Sequence, residues 1–429
     1  MQTPLRIGLL GLGTVGRGTW QVLARNGATI AARAGRRIEV ALVAVRDVAR
    51  ARALVGPPAE VLDDPFAVVR HPGIAVVVEA IGGCTVAREL VLAAIANGKH
   101  VVTANKALLA LHGAEIFAAA RARGVIVAFE GAVAVSIPIV KALREGLTAN
   151  RVEWLAGIVN GTSNHVLTEM RDKGVSFDAA LREAQRLGYA EADPSFDVDG
   201  IDAAHKLALL AGMAFGAEVD FAAIHVEGIR AVQAVDHAHA ARLGLRLKLL
   251  AIARQRAEGL ELRVHPALVP ARALLAQVDG AMNGIVVHAD AAGPTFLYGA
   301  GAGSEQTASA VIADLVDVAR LERTAPHQRV APLGFHGAAV PLPVLPIGAV
   351  RCRHYLRVPA ADAPALLRAA LDTLAAHGIA ADAHLADEDA LVITTLEAPE
   401  PAARAAATAL AALPGARGAA VRLRIESLA

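Results

Sequence analysis

The sequence of 429 residues predicts an α/β protein: a parallel sheet covered by helices, then an α+β domain, then a small ferredoxin-like tail. Three observations carry that expectation. Short β-branched runs alternate with helical stretches over about the first 130 residues, the rhythm of βαβ units. The turn Gly11-Leu12-Gly13-Thr14-Val15-Gly16 sits between the first strand candidate and the first helix candidate. From residue 350 onward the candidates run strand, helix, strand, strand, helix, strand.

In order along the chain, 6–10, 40–45, 75–80, 100–103 and 125–129 read as buried strands. Between them, 14–25, 87–96 and 108–123 have helical composition and spacing. Such alternation implies a parallel sheet with both faces covered and right-handed crossovers. The character changes from about Ile137. A strand at 152–159 precedes helices at 164–170, 177–187 and 200–214, and strands follow at 247–252, 260–264, 285–288 and 295–298. Grouped helices and grouped strands suggest α+β. A helix at 307–320 follows a second glycine-rich stretch, 299–303. The tail has strands at 351–358, 381–385, 390–395 and 421–425, with helices at 363–377 and 402–413. The expected domains are therefore 1–136, completed by 305–325; 137–304; a proline-rich linker, 326–349; and 350–429. No internal repeat is visible.

Composition excludes several classes. With 55% hydrophobic and 19% charged residues, the chain is not disordered as a whole. A formal charge of +1 and 3% aromatics leave nothing to drive nucleic-acid binding. Cys84 and Cys352 form no CxxC pair, which fits a reducing compartment. The N-terminus lacks the cleavage region of a signal peptide. The longest stretch without Asp, Glu, Lys or Arg, 330–350, is broken by Pro332, Pro341, Pro343 and Pro346, so it does not read as a membrane span. A soluble cytoplasmic protein is expected.

The glycine turn has the context of a dinucleotide-binding, Rossmann-like motif. Gly11 allows the tight turn, Gly13 lets backbone approach a pyrophosphate, and Gly16 permits close helix–strand packing. At the end of the second strand, Asp47 can accept a ribose hydroxyl of NAD or cap the next helix, whereas Arg46 can pair with the extra phosphate of NADP. Nearby Arg50 and Arg52 favour NADP. The third and fourth strands end in Glu79-Ala80-Ile81-Gly82-Gly83 and Thr103-Ala104-Asn105-Lys106, at the ligand-binding edge of such a sheet. There Thr103, Asn105 and Lys106 read equally as ligand contacts or as a cap and a solvated first turn.

The densest polar cluster runs from Gly188 to Lys206, with Glu191, Asp193, Asp197, Asp199 and Asp202. Asp202 and Lys206, four apart, share one helix face. A surface pair is the bland reading. However, the helix continues without charge over 207–217, so Lys206 begins a buried segment, and a lysine there needs a reason and a carboxylate partner.

Together these segments resemble the homoserine dehydrogenases. The match runs through GLGTVG, TANK, GIVNGTSNHVLTEM at 157–170, EAQRLGYAEADPSFDVDGIDAAHK at 183–206 and GAGAGSEQTASAVIADLVDVAR at 299–320. The resemblance implies reversible reduction of L-aspartate 4-semialdehyde to L-homoserine with NAD(P)H, on the route to threonine, methionine and isoleucine. By matched position it makes Lys206 the proton donor and acceptor. Glu191, Asp197, Asp202 and Lys106 would sit at the substrate, with Lys106 between substrate and cofactor. Gly11, Gly13, Thr14, Val15, Gly16, Arg46, Thr103, Gly188 and Gly303 would contact the cofactor. The middle domain becomes catalytic and dimerising, in a homodimer or homotetramer, and the tail resembles an ACT regulatory domain with threonine as a candidate effector.

Three departures stand out. In relatives the turn at 130–138 can hold Na+ or K+ through carbonyls matching Val133, Val135 and Ile137 plus the acid matching Glu130. Here Val135 and Ser136 replace glycines, so a conformation open only to glycine is not expected to survive. Gln306 stands where proline is common, and Pro364-Ala365 replaces a Pro-Gly at the first helix of the tail. The rival readings are a dehydrogenase for another small amino or hydroxy acid, and an amino-acid sensor that kept the fold without the chemistry.

Overall fold

The computed structural model describes residues 3–337 and 341–428. The chain divides into two compact units, Met1–Val152 with His205–Phe221 and His288–Leu342, and Glu153–Ala204 with Ala222–Val287 and Pro343–Ala429.

The first unit is built on β1 (Leu5–Leu10), β2 (Ile38–Ala44), β3 (Glu60–Leu62), β4 (Val76–Glu79), β5 (His100–Thr103) and β6 (Val127–Ala128). They form one parallel sheet in the order β3-β2-β1-β4-β5-β6. That order reverses beside β1, which opens the crevice where doubly wound sheets bind ligands. The connecting helices are α1 (Thr14–Ala34), α2 (Val48–Val55), α3 (Pro65–Arg70), α4 (Val86–Ala96) and α5 (Lys106–Arg123). The expected strand at 125–129 shrinks to two residues, because the Glu130 N–H leaves the sheet to donate to Asp314 at 2.8 Å. Conversely, α1 outruns its expected end at residue 25. Its second half is stabilised by packing: the helix Ser304–Leu321 lies along it, and Ile30 and Ala34 share one core with Val311, Ile312 and Leu315. Ser304 Oγ donates to the Thr14 carbonyl at 2.6 Å, and Arg320 donates to that of Arg33 at 2.7 Å. β3, α2 and α3 are too short to show a period in sequence, and went unpredicted.

The second unit continues with β7 (Val152–Ile158), β8 (His225–Val226), β9 (Leu245–Arg256), β10 (Gly259–Pro270) and β11 (Met282–Ala289); β12 (Gly293–Ala300) falls in the first unit. The tail adds β13 (Arg351–Pro359), β14 (Ala381–Ala386), β15 (Ala390–Thr395), β16 (Ala398–Pro399) and β17 (Val421–Ile425), with helices Ala363–Ala376 and Glu400–Ala411. Within the second unit the sheet runs β11-β7-β9-β10-β17-β13-β15-β14.

This grouping differs from the partition expected from sequence. The tail has its own apolar cluster, including Leu356, Leu366, Leu374, Ile393 and Leu410. Yet it is fused to the rest of the second unit, because β17 pairs in parallel with β10 and Arg424 bridges Glu227 and Glu400 at 2.8 Å each. The proline-rich stretch is not a free linker either. Arg329 donates to the carbonyls of Gly124, Leu321, Glu322 and Thr324. Residues 338–340 of that stretch lie outside those described. Among the described residues, no helix is long and apolar enough to cross a membrane, and both cysteines are free.

One buried group of the first unit titrates in an accessible range. His100 Nδ1 accepts the Ile126 N–H at 2.9 Å, so the ring is neutral, and burial first, then Arg329, pushes its pKa down to about 4. The unfolded chain takes up that proton at about 6.5. The stabilisation is therefore complete above pH 6.5 and is lost as pH falls toward 4. The expected outcome is that His100→Asn, which keeps an acceptor but cannot titrate, flattens the melting-temperature profile between pH 7 and 5. The parent should lose roughly 2 kcal/mol more than the variant over that span.

Candidate active site

The glycine turn is shaped by close approach as well as by backbone angle. Gly11 adopts φ +92°, and a Cβ on Gly16 would lie 2.1 Å from the Gly11 carbonyl oxygen. A Cβ on Gly13 would meet nothing within 4 Å, so that position faces open space. Gly13 is the N-cap of α1 and supplies no side-chain acceptor, which leaves first-turn N–H groups for an anion. The turn forms one wall of a cleft of about 1010 Å³ that also includes Thr14, Arg17, Arg46, Asp47, Arg50 and Ser304. Val15 lies in the first turn of α1, half-buried beneath the wall. Asp47, a candidate ribose acceptor, caps α2 by accepting the Arg50 N–H at 3.1 Å. The cationic side chains Arg46 and Arg50 are exposed beside it.

At the carboxyl edge, a residue not assigned from sequence organises two turns. Glu79, 1% exposed, accepts the Ile81 and Gly82 N–H groups at 2.9 Å and the Thr103 hydroxyl at 2.6 Å. Thr103 Oγ1 in turn accepts the Asn105 N–H at 3.0 Å. Asn105 caps α5 through Leu108 and reaches the Gly83 carbonyl at 2.7 Å. The Thr103 side chain is fully buried and its proton goes to Glu79. Lys106, half-buried, is the first residue of α5.

The 130–138 turn also departs from expectation. Left-handed conformations are adopted by Ala134 (φ +54°) and Val135 (φ +49°), although neither is glycine. Each costs about 1–3 kcal/mol and persists only where the surroundings impose it. Here both Glu130 carboxylate oxygens accept backbone N–H groups, from Val140 at 3.0 Å and Lys141 at 2.9 Å, and Ile137 O accepts from Ile139. Val133 is fully buried in the same turn. Burial raises the pKa of Glu130 and, with Glu130 beside it, lifts that of Asp314 well above the ordinary range. Asp314 Oδ1 has no hydrogen-bond partner among the described residues.

In the second unit, Gly188 and Glu191 lie exposed on the loop after the helix Phe177–Arg186. Asp197 belongs to the short helix Ser195–Val198. Asn160, within the matched NGTSN segment but given no role from sequence, donates to Asp197 at 2.7 Å and to Asp202 at 2.8 Å. Asp202 and Lys206, only 3% and 6% exposed, lie one turn apart on the helix Ile201–Phe215, whose residues from His205 onward belong to the first unit. Gly303, the last of the second glycine stretch, is the N-cap of the helix Ser304–Leu321. The first unit thus offers a cleft suited to a dinucleotide, and one buried helix carries both an acid and an ammonium.

Comparisons with known proteins agree. The homoserine dehydrogenase NAD-binding domain matches residues 11–130, and the homoserine dehydrogenase domain matches 138–316. A homoserine dehydrogenase of Pseudomonas aeruginosa is 52% identical over 433 residues, covering 99% of both chains. The crystal structure of a homoserine dehydrogenase from Thiobacillus denitrificans has a TM-score of 0.95 at 55% identity, covering 100% of this chain and 99% of that one. A hyperthermophilic archaeal homoserine dehydrogenase in complex with NADPH gives a TM-score of 0.64 at 26% identity, covering 75% of this chain and 99% of that chain.

The glycine geometry yields a direct expectation. Gly16→Ala forces the Gly11 carbonyl to move, so the KM for the nucleotide should rise at least ~10-fold, about 1.4 kcal/mol or more of lost binding. Steady-state titration of the cofactor checks it.

Proposed function

The chain belongs to the homoserine dehydrogenase family, and from that premise we propose which residues carry its reaction, the NAD(P)H-dependent reduction of L-aspartate 4-semialdehyde to L-homoserine. The observation that carries the proposal is the burial of Lys206 and Asp202 together at the start of an otherwise uncharged helix. The nicotinamide, when bound, supplies the hydride to the aldehyde carbon. As the carbonyl bond becomes a single bond, its oxygen gains negative charge. The Lys206 ammonium stabilises that oxygen and then gives it a proton; in the reverse direction the neutral amine takes the hydroxyl proton back. Asp202 orients Lys206 or contacts the hydroxyl, and Asp197 supports the substrate pocket. Glu191 takes the α-amino group and Lys106 the α-carboxylate, opposite charges for the two ends of a zwitterion.

In the same reading Arg46, with Arg50, selects NADP. Both arginines border the cleft, while Asp47 is engaged as a helix cap. A monovalent cation at Glu130, Val133, Val135 and Ile137 suits the turn. The carboxylate oxygens of Glu130 already accept N–H groups, leaving mainly backbone carbonyls, a weak field. The tail is read as ACT-like with threonine as effector. There the Ala365 N–H, at the helix start an effector would approach, is held by Asp362 at 3.0 Å and would have to be released. A cytoplasmic homodimer or homotetramer completes the proposal.

Two outcomes test it. Lys206→Ala should keep cofactor affinity and lose turnover by a factor on the order of 10²–10⁴, measured by cofactor reduction with homoserine. Retained turnover removes Lys206 from the mechanism. Arg46→Ala should raise the KM for NADPH by roughly 10-fold, the worth of one charge-assisted contact, and leave that for NADH nearly unchanged. Equal effects on both cofactors reject the selectivity assignment.

A further inference from the structure

Asn160 is the N-cap of the helix Gly161–Lys173, and its Oδ1 accepts the Ser163 N–H at 2.8 Å. That bond fixes which way the amide faces, so Nδ2 must point away from the helix. Both of its protons are then used: one goes to Asp197 Oδ1 at 2.7 Å, the other to Asp202 Oδ2 at 2.8 Å. Two carboxylates from different helices thereby converge on a single nitrogen, in a place where Asn160 is 5% and Asp202 3% exposed. A neutral amide with two donors sets the side-chain angle of each. Capping alone does not call for this residue, since Ser, Thr or Asp caps as well through one oxygen. The –NH2 group is what asparagine adds. Ser163 reinforces the arrangement, because its hydroxyl donates to the Asp197 carbonyl at 3.0 Å.

We infer that Asn160 is a positioning residue for the reaction: it clamps Asp197 and Asp202 in register, so that the carboxylate one turn before Lys206 presents a fixed oxygen to the reacting end of the substrate. The inference rests on the reading of Asp202 and Asp197 as substrate-side residues, and it adds the group that holds them. It separates from a purely structural role by the parameter it moves. Asn160 is not among the residues that line the cleft at the glycine turn, so its loss is expected to act on the amino-acid substrate.

The test uses the full-length enzyme with Asn160→Ser and Asn160→Asp, both of which keep a capping oxygen and lose the paired donors. For each variant, kcat/KM for homoserine should fall roughly 10- to 100-fold, the worth of hydrogen bonds to charged groups, while the KM for the nucleotide stays within about 2-fold. A folded variant with kcat/KM within about 2-fold of the parent overturns the inference. So does a parallel loss in cofactor KM, and so does failure of both variants to fold, since each assigns Asn160 to the fold. Asp202→Asn, measured alongside, keeps the two questions apart. If it loses turnover while the Asn160 variants do not, the clamp is wrong and the catalytic reading stands. If it retains turnover, the reading of Asp202 itself is wrong.

Discussion

An ammonium buried at the head of an apolar helix is the constraint on which the rest of this structure depends. Lys206 is followed by a run of uncharged residues, and a charge in such surroundings is costly unless opposite charges and hydrogen bonds compensate it. Carboxylates gather in the preceding segment. Asp202 sits one turn earlier on the same helix, and Asn160 fixes Asp202 in place from another helix. In the proposed reaction, a lysine held this way meets the developing oxyanion where preorganised charge is most effective.

Buried acids recur elsewhere as fasteners of the backbone. Glu79 gathers three donors and thereby ties the ends of β4 and β5 to each other, shaping the edge where a nicotinamide ring is expected. Glu130 does the same for the turn that follows β6, and Asp314 receives the N–H of Glu130 from the helix that packs along α1. In each case the acid accepts main-chain N–H groups that secondary structure leaves unsatisfied at the ends of strands and helices. Of these, Glu130 read in sequence as a possible ligand, and in the fold both of its carboxylate oxygens accept main-chain N–H groups.

Local chemistry made some of this legible beforehand. The β-branched run before Gly11 and the Gly11, Gly13 and Gly16 spacing implied a parallel sheet and a dinucleotide turn, because both follow from rules acting over a few residues. Likewise β5, β15 and β17 begin and end where their composition implied. The second half of α1 did not show, since its stability comes from a helix almost three hundred residues later in the chain. Nor did the left-handed Ala134 and Val135, where surroundings override the intrinsic preference of the residue. The bond from Thr103 to Glu79 did not show either, because an exposed hydroxyl and one facing Glu79 look identical in sequence.

By itself, then, the sequence determined the class of fold, the nucleotide turn, the family resemblance and the placement of Asp202 and Lys206 one turn apart on one helix. Periodicity, turn chemistry and i,i+4 geometry are short-range, and the order of residues encodes them directly. Tertiary structure alone decided which polar groups remain for ligands and which are consumed in holding the chain. It placed the tail in the second unit through β10 and β17, gave Glu79 its two turns, and brought Asn160 to both carboxylates. Hydrogen bonds such as those of Glu79 to Thr103 and of Asn160 to Asp197 and Asp202 join residues tens of positions apart, so only the packed chain specifies their partners.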